Sequence, residues 1–459
     1  MFTVSEVKEA THGTLLVPWG EDISFSEVNT DTRSIAKGSL FVAFKGERFD
    51  GHNFVLQALQ DGAAGAVVSE IRDEYKQVQA PIFVVKDTVK AFQGLARFHR
   101  RRFHIPVIAV TGSVGKTSTR NLIATVLQQN YAVLQTEKNF NNEIGLPKTL
   151  LQLKPEHKAC VVEMGMRGLG QIQELAAIAE PTVGVVTNVG KSHIELLGSQ
   201  ENIAKAKSEL VQALNEQGTA VLNDDDAFVR NMDKLCKGRV IRYGTADTAD
   251  VRAENISMNA TGLHFTCHCF GKTFAVQVPV IGRHHAYNAL AAIAVGYLTG
   301  LTPEQMQQGL ALYKGVPLRE ELVHIGSYTF INDSYNANPA SMSSAIHTLA
   351  SLTQGRKIAV LGGMGELGAW APKEHAVIGK LIADEKIDIL ITLGDLGAYI
   401  AEAARKNGMK NVYTVQTHAE AAGKLKTLLQ PFDTILLKGS RTFEMEKILP
   451  YFERKSCEC

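Results

Sequence analysis

The sequence predicts an α/β protein with three domains, and three observations support this prediction. The chain has 459 residues, more than a single hydrophobic core usually serves. Short apolar runs rich in β-branched residues alternate with helix-like segments, as in parallel sheets with crossover helices. A glycine-marked loop separates one such run from a helix-like segment at 112–118. We therefore expect domains at residues 1–86, 87–316 and 317–459.

The bulk composition indicates an ordinary globular chain. Hydrophobic residues make up 45% and charged residues 21%, and 48 basic against 47 acidic side chains leave a net charge of +1. That balance argues against a nucleic-acid partner. The N-terminus lacks a basic segment followed by an apolar run, and no stretch approaches the roughly 18 apolar residues of a membrane helix. We expect a cytoplasmic monomer without membrane insertion.

The cysteines are predicted to be free thiols. Two C-x-C pairs could suggest a metal site. Cys267 and Cys269, however, lie in a strand-like run where alternate residues share one face, and Cys457 and Cys459 lie in the C-terminal tail. Thiols of a cytosolic protein stay reduced.

The first domain offers one candidate ligand-binding stretch, at residues 30–53. A strand-like SLFVAF is bracketed there by two loops rich in hydroxyl, basic and amide groups. The basic groups could hold an anionic substrate, and the others could hydrogen-bond to a sugar or base. Charged loops beside a strand are also typical of a solvated surface, so both interpretations stay open. The residues concerned are Arg33, Ser34, Lys45, Arg48 and Asp50.

The strongest motif is VIAVTGSVGKTSTRNL at residues 107–122. An apolar run, a glycine turn and a helix-like pattern follow one another there, which is the layout of a phosphate-binding loop. Backbone N–H groups would close around phosphate oxygens, Lys116 would reach the outer phosphates, and the Thr117 hydroxyl could hold Mg²⁺. We therefore predict a bound nucleoside triphosphate. The predicted binding residues are Gly112, Ser113, Gly115, Lys116, Thr117 and Ser118.

One position departs from the longer G-x-x-x-x-G-K-[ST] pattern. That pattern needs glycine where this chain has Val110, so only the shorter T-G-x-x-G-K-T remains, at 111–117. The alternative interpretation is a glycine turn between strand and helix with an exposed lysine.

Candidate catalytic residues follow strand-like runs of the central domain, where ligands bind in open α/β sheets. Glu163 ends KACVVEM and is a candidate Mg²⁺ carboxylate. His193 follows PTVGVVTNVG and is either a metal ligand or a structural histidine. Lys205 and Lys207 lie on a helix, IAKAKSELV, where surface lysines are the simpler interpretation.

A polar segment, TEKNFNNEIGLP at 136–147, is too polar and too glycine-marked for a helix. Its Asn139, Asn141 and Asn142 would suit an uncharged polar part of a substrate, or simply a turn-rich loop.

The end of the central domain contains three further features. We expect β-hairpins at 250–280, then an alanine-rich helix on which Asn288 and neighbouring histidines could face a nucleotide base. KGVPLRE at 314–320 indicates a hinge between domains.

The third domain is predicted to be doubly wound, with five strands in SYTFINDSY, RKIAVLGGMGELG, DILITLGDLG, NVYTV and DTILLKGSR. Gly363, Gly365 and Gly368 match the outline of a dinucleotide fingerprint. That fingerprint requires an acid about 20 residues further on, and Asp395 is too distant. We favour a loop that closes on the active site.

Taken together, TGSVGKTS, NFNNEIGLP, DSYNANP at 333–339 and KGSR at 438–441 make the chain resemble the Mur ligases over essentially its whole length. TDTR, KGERFDGH and DSYNAN are similar to the branch that adds D-alanyl-D-alanine. The resemblance implies a UDP-binding first domain, a central P-loop ATPase and a Rossmann-like third domain that brings in the amino component. It also implies ATP and Mg²⁺, with UDP-N-acetylmuramoyl-tripeptide and D-alanyl-D-alanine as substrates.

The resemblance further implies roles for single residues. Lys116 would contact the β- and γ-phosphates, Thr117 and Glu163 would bind one Mg²⁺, and His193 would bind a second. Lys207 stands where relatives carry a carbamylated lysine, a carboxylate-like metal ligand. The nucleotide would also meet Asn288, Arg319 and Asp333, and Arg319 joins the catalytic set. The UDP-sugar site would hold Arg33, Lys45 and Arg48. The peptide and dipeptide would meet Asn336, Asn338, Lys438, Ser440 and Arg441.

Three positions depart from the family pattern. His285 replaces an asparagine, Leu318 stands where glycine is common, and Gly363 stands in place of an aspartate. None of the three removes a phosphate-binding or metal-binding group, but they bear on the base contacts and the hinge.

The implied reaction is amide formation through an acyl phosphate, with a third domain that closes to exclude water. Lysine and diaminopimelate both stay open as the third residue of the peptide. A folylpolyglutamate synthetase-like ligase shares the chemistry but leaves TDTR and KGERFDGH unexplained. A non-catalytic nucleotide-binding regulator leaves the grouped acid, histidine and lysine unexplained.

Overall fold

The computed structural model describes residues 1–20, 23–259, 261–352 and 355–453. The chain divides into two compact units. The first comprises Met1–Ala109, Tyr131–Gly165 and Gln171–Thr182, and the second comprises Val110–Asn130, Met166–Gly170 and Val183–Cys459.

Short strands and helices alternate up to residue 182. The strands are β1 (Phe2–Thr3), β2 (Thr14–Leu15), β3 (Ser24–Phe25), β4 (Val28–Asn29), β5 (Leu40–Val42), β6 (Gly65–Val68), β7 (Ile82–Val84), β8 (Val107–Thr111), β9 (Val133–Gln135) and β10 (Ala159–Glu163). The helices are α1 (Val4–Thr11), α2 (Val55–Gln60), α3 (Thr88–Arg100), α4 (Lys116–Leu127), α5 (Gly145–Leu150) and α6 (Gln171–Ala179).

The same alternation continues to the C-terminus, interrupted by a run of hairpins. The strands are β11 (Val183–Val186), β12 (Thr219–Asn223), β13 (Arg239–Gly244), β14 (Val251–Asn259), β15 (Gly262–Cys269), β16 (Lys272–Val278), β17 (Glu321–Ile325), β18 (Tyr328–Asp333), β19 (Lys357–Leu361), β20 (Ile389–Leu393), β21 (Val412–Val415) and β22 (Thr434–Lys438). The helices are α7 (Ile194–Leu197), α8 (Gln200–Gln212), α9 (Ala227–Arg230), α10 (His285–Leu298), α11 (Pro303–Ala311), α12 (Pro339–Ser351), α13 (Ala371–Asp384), α14 (Gly394–Lys406) and α15 (His418–Leu428).

The first unit contains a five-stranded sheet in the order β2-β7-β6-β5-β4. Strands β4 to β7 pair in parallel, and β2 joins antiparallel to β7. Phe41, Val55, Tyr75 and Ile82 pack in its core and are almost fully buried, which is what holds so short a set of strands together. The unit also contains the parallel pair of β9 and β10.

The second unit contains most of the central sheet. Its strands follow the order β16-β15-β14-β13-β12-β11, parallel from β11 to β14 and antiparallel from β14 to β16. The hairpins expected at 250–280 are therefore confirmed. Helix α10, with apolar side chains almost all round, is buried at Ala289, Leu290 and Ile293, as expected for a helix enclosed by other elements.

A second sheet of this unit lies in the C-terminal part of the chain, in the order β17-β18-β22-β19-β20-β21. The five predicted strands form its parallel part, β18 to β22. The order doubles back at β22 and β19, so helices cover both faces. Strand β17 is an unpredicted antiparallel addition at the edge. The prediction of an α/β fold built on parallel sheets is confirmed.

One secondary-structure expectation is wrong. The segment 136–147 was expected to hold no helix, yet α5 begins within it, at Gly145. Asn142 Oδ1 accepts a 2.8 Å hydrogen bond from the Gly145 N–H and thereby satisfies a donor of the first turn. Pro147 fits the same turn because an N–H there has no partner within the helix.

The cysteine and membrane expectations can be compared with the described residues. Cys160, Cys236, Cys267 and Cys269 are free thiols, as predicted. Cys457 and Cys459 lie outside the described residues. Within the described part of the chain, every helix is too short or too polar to cross a membrane.

Candidate active site

The phosphate loop has the predicted strand–turn–helix geometry. Strand β8 ends at Thr111 and helix α4 begins at Lys116, with Gly115 as its N-cap at φ 85°. Gly112 has φ 150°, and a Cβ on it would lie 1.8 Å from Thr187 Oγ1. Positive φ angles therefore favour glycine at both positions, and the lack of space for a Cβ requires it at Gly112. The N-cap of α4, Gly115, makes no side-chain capping hydrogen bond, and the N-terminus of a helix attracts anions.

The loop after β11 holds the phosphate loop in place. Asn188 Oδ1 accepts from the Val114 N–H at 2.9 Å, and Asn188 Nδ2 donates to the Val114 carbonyl at 2.9 Å. Thr187 Oγ1 donates to the same carbonyl at 2.6 Å. The Gly190 N–H donates to Ser113 Oγ at 2.8 Å. The phosphate loop is thus anchored by side chains more than 70 residues away in the chain.

Sequence reasoning missed Thr187 and Asn188. The available signal was their position, since TN directly follows the buried VGVV of β11 at the end of a strand. Ser113, which is predicted to bind the nucleotide, has a hydroxyl that accepts from the Gly190 N–H of the loop after β11.

Two basic side chains converge on the phosphate loop. Lys116 Nζ donates to the Gly112 carbonyl at 2.8 Å, so the lysine curls over its own loop. Arg319 Nη2 donates to Thr117 Oγ1 at 3.3 Å, and its guanidinium lies 4.2 Å from the centre of the Tyr335 ring. The aromatic ring supports the guanidinium through a cation–π contact. Positive charge is therefore concentrated where phosphates would bind.

Lys207 is the most unusual of the predicted residues. It lies on α8 with only 2% of its surface exposed. Burial, and then the nearby positive charge of Lys116, lower its pKa well below the ordinary value for lysine. A deprotonated amine at this position is a nucleophile, unlike a surface ammonium. The surface-lysine interpretation fits Lys205, which is exposed, but is wrong for Lys207.

His193 lies beside the same group. Its backbone has φ 62°, and its Nδ1 lies 2.6 Å from Glu366 Oε2. Burial lowers the His193 pKa; the Glu366 carboxylate opposes this shift, whereas Lys116 and Lys207 add to it. Lys116, Lys207 and His193 are thus close enough to interact electrostatically.

Asn288 lies beneath the phosphate loop. The side chain is buried, accepts a 3.0 Å hydrogen bond from Thr119 Oγ1, and has Nδ2 3.3 Å from His285 Nδ1. A Cβ on Gly115 would come within 2.9 Å of Asn288 Oδ1. In this structure Asn288 supports the loop from the protein side.

The predicted peptide-binding residues of the C-terminal part fall into two groups. Lys438 and Ser440 are buried, whereas Asn336 and Arg441 are exposed. Lys438 Nζ donates to Asp333 Oδ2 at 2.5 Å and to the Asn336 carbonyl at 3.0 Å. Arg441 pairs with Glu446 at 2.5 Å. Lys438 therefore holds the end of β18 against the end of β22.

C-terminal residues also contact the loop after β11. Asn338 caps α12, accepting from the Ser341 N–H at 2.9 Å, and donates to Ser192 Oγ at 2.8 Å. Lys191 Nζ lies 2.6 Å from Glu374 Oε1, whose side chain is 4% exposed. These contacts join the two sheets of the second unit near His193.

The glycines at 363–368 serve packing and loop closure. A Cβ on Gly363 would lie 2.5 Å from the Cβ of Leu396, which explains the departure from aspartate. The Glu195 N–H donates to the Glu366 carbonyl at 3.4 Å. The loop thus contacts the His193 region.

Glu163 and the asparagine loop form a cluster in the first unit. Glu163 is 3% exposed, and its Oε1 accepts from Asn141 Nδ2 at 2.8 Å. The Asn141 carbonyl also accepts from the Gly165 N–H at 2.9 Å. Asn139 and Asn142 are exposed.

The predicted sugar-binding residues are surface groups of the first unit. Arg33 pairs with Asp31 at 2.6 Å, and Lys45 pairs with Glu70. The Arg33 guanidinium lowers the pKa of Asp31 to about 2. Ser34 and Arg48 are also exposed, and Asp50 Oδ1 accepts from the His52 N–H at 2.9 Å.

Family comparisons agree with the order of these features. The family "Mur ligase family, catalytic domain" matches residues 24–100, "Mur ligase middle domain" matches 110–296, and "Mur ligase, glutamate ligase domain" matches 318–441. The three matches follow the order of the three predicted domains.

Relatives that align over nearly the whole chain share one name. A UDP-N-acetylmuramoyl-tripeptide–D-alanyl-D-alanine ligase of Bacillus subtilis is 39% identical over 450 residues, covering 97% of both chains. The Escherichia coli protein of the same name is 36% identical over 97% of both chains.

Solved structures are similar over the same length. MurF from Acinetobacter baumannii superposes with a TM-score of 0.89 at 31% identity, covering 98% of each chain. MurF from Thermotoga maritima, in complex with ADP, gives 0.84 at 28% identity over 93% of this chain and 96% of that one. With the phosphate loop, its anchors and the two sheets in place, the chain belongs to the Mur ligase family.

Proposed function

We propose that the chain is an ATP-dependent ligase that joins D-alanyl-D-alanine to the terminal carboxylate of a UDP-N-acetylmuramoyl-tripeptide. The observation that carries the proposal is the near-complete alignment with ligases of that name, at up to 40% identity. The grouping of Lys116, Lys207, His193 and Arg319 around the phosphate loop supports it.

The reaction must bring together two negatively charged groups. The γ-phosphate of ATP passes to the peptide carboxylate, which gives an acyl phosphate and ADP. The amine of the dipeptide then attacks the acyl carbon, and inorganic phosphate leaves. The positive charges of Lys116 and Arg319 offset the repulsion between carboxylate and γ-phosphate.

The chain's own groups divide this work. The N–H groups at the start of α4 bind phosphate oxygens, and the Asn188 anchor keeps them oriented before ATP arrives. Lys116 contacts the β- and γ-phosphates. We propose that Asn288, Asp333 and Ser118 complete the nucleotide site.

Oxygen donors of the chain fit Mg²⁺. The Thr117 hydroxyl and the Glu163 carboxylate are both hard oxygen ligands, and their role at one ion rests on the family resemblance. When bound, the ion would neutralise phosphate charge. The imidazole of His193 is a less usual partner for Mg²⁺, and its role at a second ion rests on the family resemblance, as does carbamylation of Lys207.

Substrate-binding roles and domain limits are also part of the proposal. Domains at 1–86, 87–316 and 317–459 would bind the UDP-sugar, ATP and the dipeptide in turn. The UDP-sugar would meet Arg33, Ser34, Lys45 and Arg48. The peptide and dipeptide would meet Asn139, Asn141, Asn142, Asn336, Asn338, Lys438, Ser440 and Arg441.

The decisive assay measures ADP release from ATP with UDP-N-acetylmuramoyl-tripeptide, with and without D-alanyl-D-alanine. We expect release to depend on the dipeptide, with tripeptides ending in lysine and in diaminopimelate assayed in parallel. Release that ignores the dipeptide, or that needs a folate and glutamate instead, would refute the proposal. Lys116→Ala should be inactive while remaining folded.

A further inference from the structure

The first turn of α10 and the linker before β17 bring together three side chains that the proposed reaction does not use. His284 Nε2 lies 3.1 Å from Glu320 Oε2, and His285 Nε2 lies 3.3 Å from the same oxygen. The two imidazole rings are 4.3 Å apart between centroids. All three ligand atoms lie within 4.8 Å of one another.

Two of the three distances between these atoms are close to the edge of a tetrahedral zinc site. Zinc binds imidazole nitrogen and carboxylate oxygen at about 2.0–2.2 Å, so two ligands of a tetrahedron are about 3.3–3.5 Å apart. The observed separations from Glu320 Oε2 are 3.1 and 3.3 Å. Two imidazoles and one carboxylate are also a donor set that suits zinc better than Mg²⁺.

Only one oxygen of the Glu320 carboxylate, Oε2, is positioned to bind an ion. Glu320 has a 6% exposed side chain, and its Oε1 accepts from Thr348 Oγ1 at 3.1 Å. Its Oε2 is buried, and within the described part of the chain no donor makes a well-directed hydrogen bond to it. A buried carboxylate oxygen left in this state is costly unless a cation occupies the point it faces.

Each imidazole also has a partner at its other nitrogen. His284 Nδ1 lies 2.9 Å from Ser344 Oγ, whose hydroxyl can accept from an Nδ1–H. His285 Nδ1 lies 3.3 Å from Asn288 Nδ2. When the ion binds, rotation of this amide by about 180° would turn Oδ1 toward His285 Nδ1, and Thr119 Oγ1 would then accept from Nδ2. Such contacts fix the ring orientation of metal-binding histidines and leave Nε2 free to bind the ion.

An ion could reach the site. His284 is partly exposed and lines a cavity of about 400 Å³, together with Thr245, Arg283 and Tyr287. An ion that enters this cavity would meet the His284 side chain first.

We propose that His284, His285 and Glu320 bind one zinc ion, which ties the start of α10 to the linker that carries Arg319. Because Glu320 directly follows Arg319, the ion also restrains the arginine that contacts Thr117.

A second group, Asp50, His52 and Glu70, meets the same distance criterion but lacks these properties. Both His52 nitrogens are occupied: Nδ1 by Asp50, and Nε2 by the Ser69 N–H at 3.0 Å. Glu70 is paired with Lys45. This group provides a matched control.

The test measures zinc binding by the full chain after chelation, using a chromophoric zinc competitor. We expect one ion per chain, with a higher melting temperature in zinc. His285→Asn and Glu320→Gln should each weaken binding by roughly 100-fold or more, since even outer partners of metal ligands contribute 10–100-fold. Glu70→Gln should bind zinc as the wild type does.

Cobalt(II) gives a second readout, because a tetrahedral site produces intense visible absorption that an octahedral surface site lacks. His285→Asn is a second variant at a separate ligand, so a folding defect in Glu320→Gln would not remove the test. Absence of a stoichiometric ion, equal affinity in wild type and His285→Asn, or weak octahedral cobalt spectra would each overturn the proposal.

Discussion

Replacement of Lys207 by methionine should stabilise the protein while abolishing ligation. Lys207 is 2% exposed, and burial with the charge of Lys116 lowers its pKa. The unfolded chain, where the lysine pKa is about 10.4, therefore binds a proton at this amine more readily than the folded chain does. Between the two pKa values folding releases that proton, which costs free energy. Methionine, similar in length and uncharged, avoids this cost.

The pH dependence of the free energy of unfolding gives the sign and the magnitude of this cost. Between the lowered pKa of folded Lys207 and the ordinary value, one more proton is bound in the unfolded state, so wild-type stability rises with pH. For a single proton the slope is about 1.4 kcal/mol per pH unit. Relative to Lys207→Met, the wild type should therefore gain about 2.8 kcal/mol over two pH units in that window.

The assay is urea unfolding of wild type and Lys207→Met at several pH values between 7 and about 9.5, within the range below the ordinary lysine pKa. Lys205→Met is the matched control, because Lys205 is exposed on the same helix. Its stability difference from wild type should stay constant with pH. A constant difference for Lys207→Met as well would refute the argument that burial keeps this amine uncharged. Mass spectrometry of the native chain reports whether the amine carries a carbamate.

Three further predictions follow from single contacts. Arg319→Lys loses the guanidinium group that reaches Thr117 and most of the contact with Tyr335. The value of kcat/KM for ATP should therefore fall by roughly 10–100-fold, which corresponds to about 1.4–2.7 kcal/mol. Tyr335→Leu should show a smaller loss, and an unchanged kcat/KM in Arg319→Lys would contradict the assignment. Gly112→Ala places a methyl group 1.8 Å from Thr187 Oγ1, so calorimetry should detect no ATP binding by this variant. At Gly423 an added Cβ would meet open space, so Gly423→Ala should bind ATP as the wild type does. Glu374→Gln removes the charged partner of Lys191 and should lower the free energy of unfolding by about 1–3 kcal/mol. Lys380→Gln removes one side of an exposed ion pair and should change the free energy of unfolding by less than about 0.5 kcal/mol. Equal effects of the two substitutions would argue against a stabilising Lys191–Glu374 contact.

Local features of the chain were predictable, and distant contacts were not. The phosphate loop is encoded within 16 consecutive residues, 107–122, so its strand, turn and helix could be read directly. Its anchor, Asn188, lies 74 residues from Val114, and no local pattern links the two. Strand β17, ELVHI, alternates between half-buried and exposed positions at a sheet edge, and it lacks the continuous apolar run that marked the other strands. The burial of Lys207 likewise depends on how α8 packs, which the helix sequence does not show.

The Asn188 anchor has a consequence for the free protein. Since the Val114 amide already donates to the Asn188 side chain, it should exchange its hydrogen slowly even without nucleotide. A loop that became ordered only on binding would lose conformational entropy at that moment and weaken its affinity accordingly. Here that ordering occurs when the chain folds, so the affinity for ATP is set partly by the energetics of folding. Asn188→Ala should therefore transfer the ordering step from folding to binding, and the Val114 amide would then become protected only when nucleotide is present.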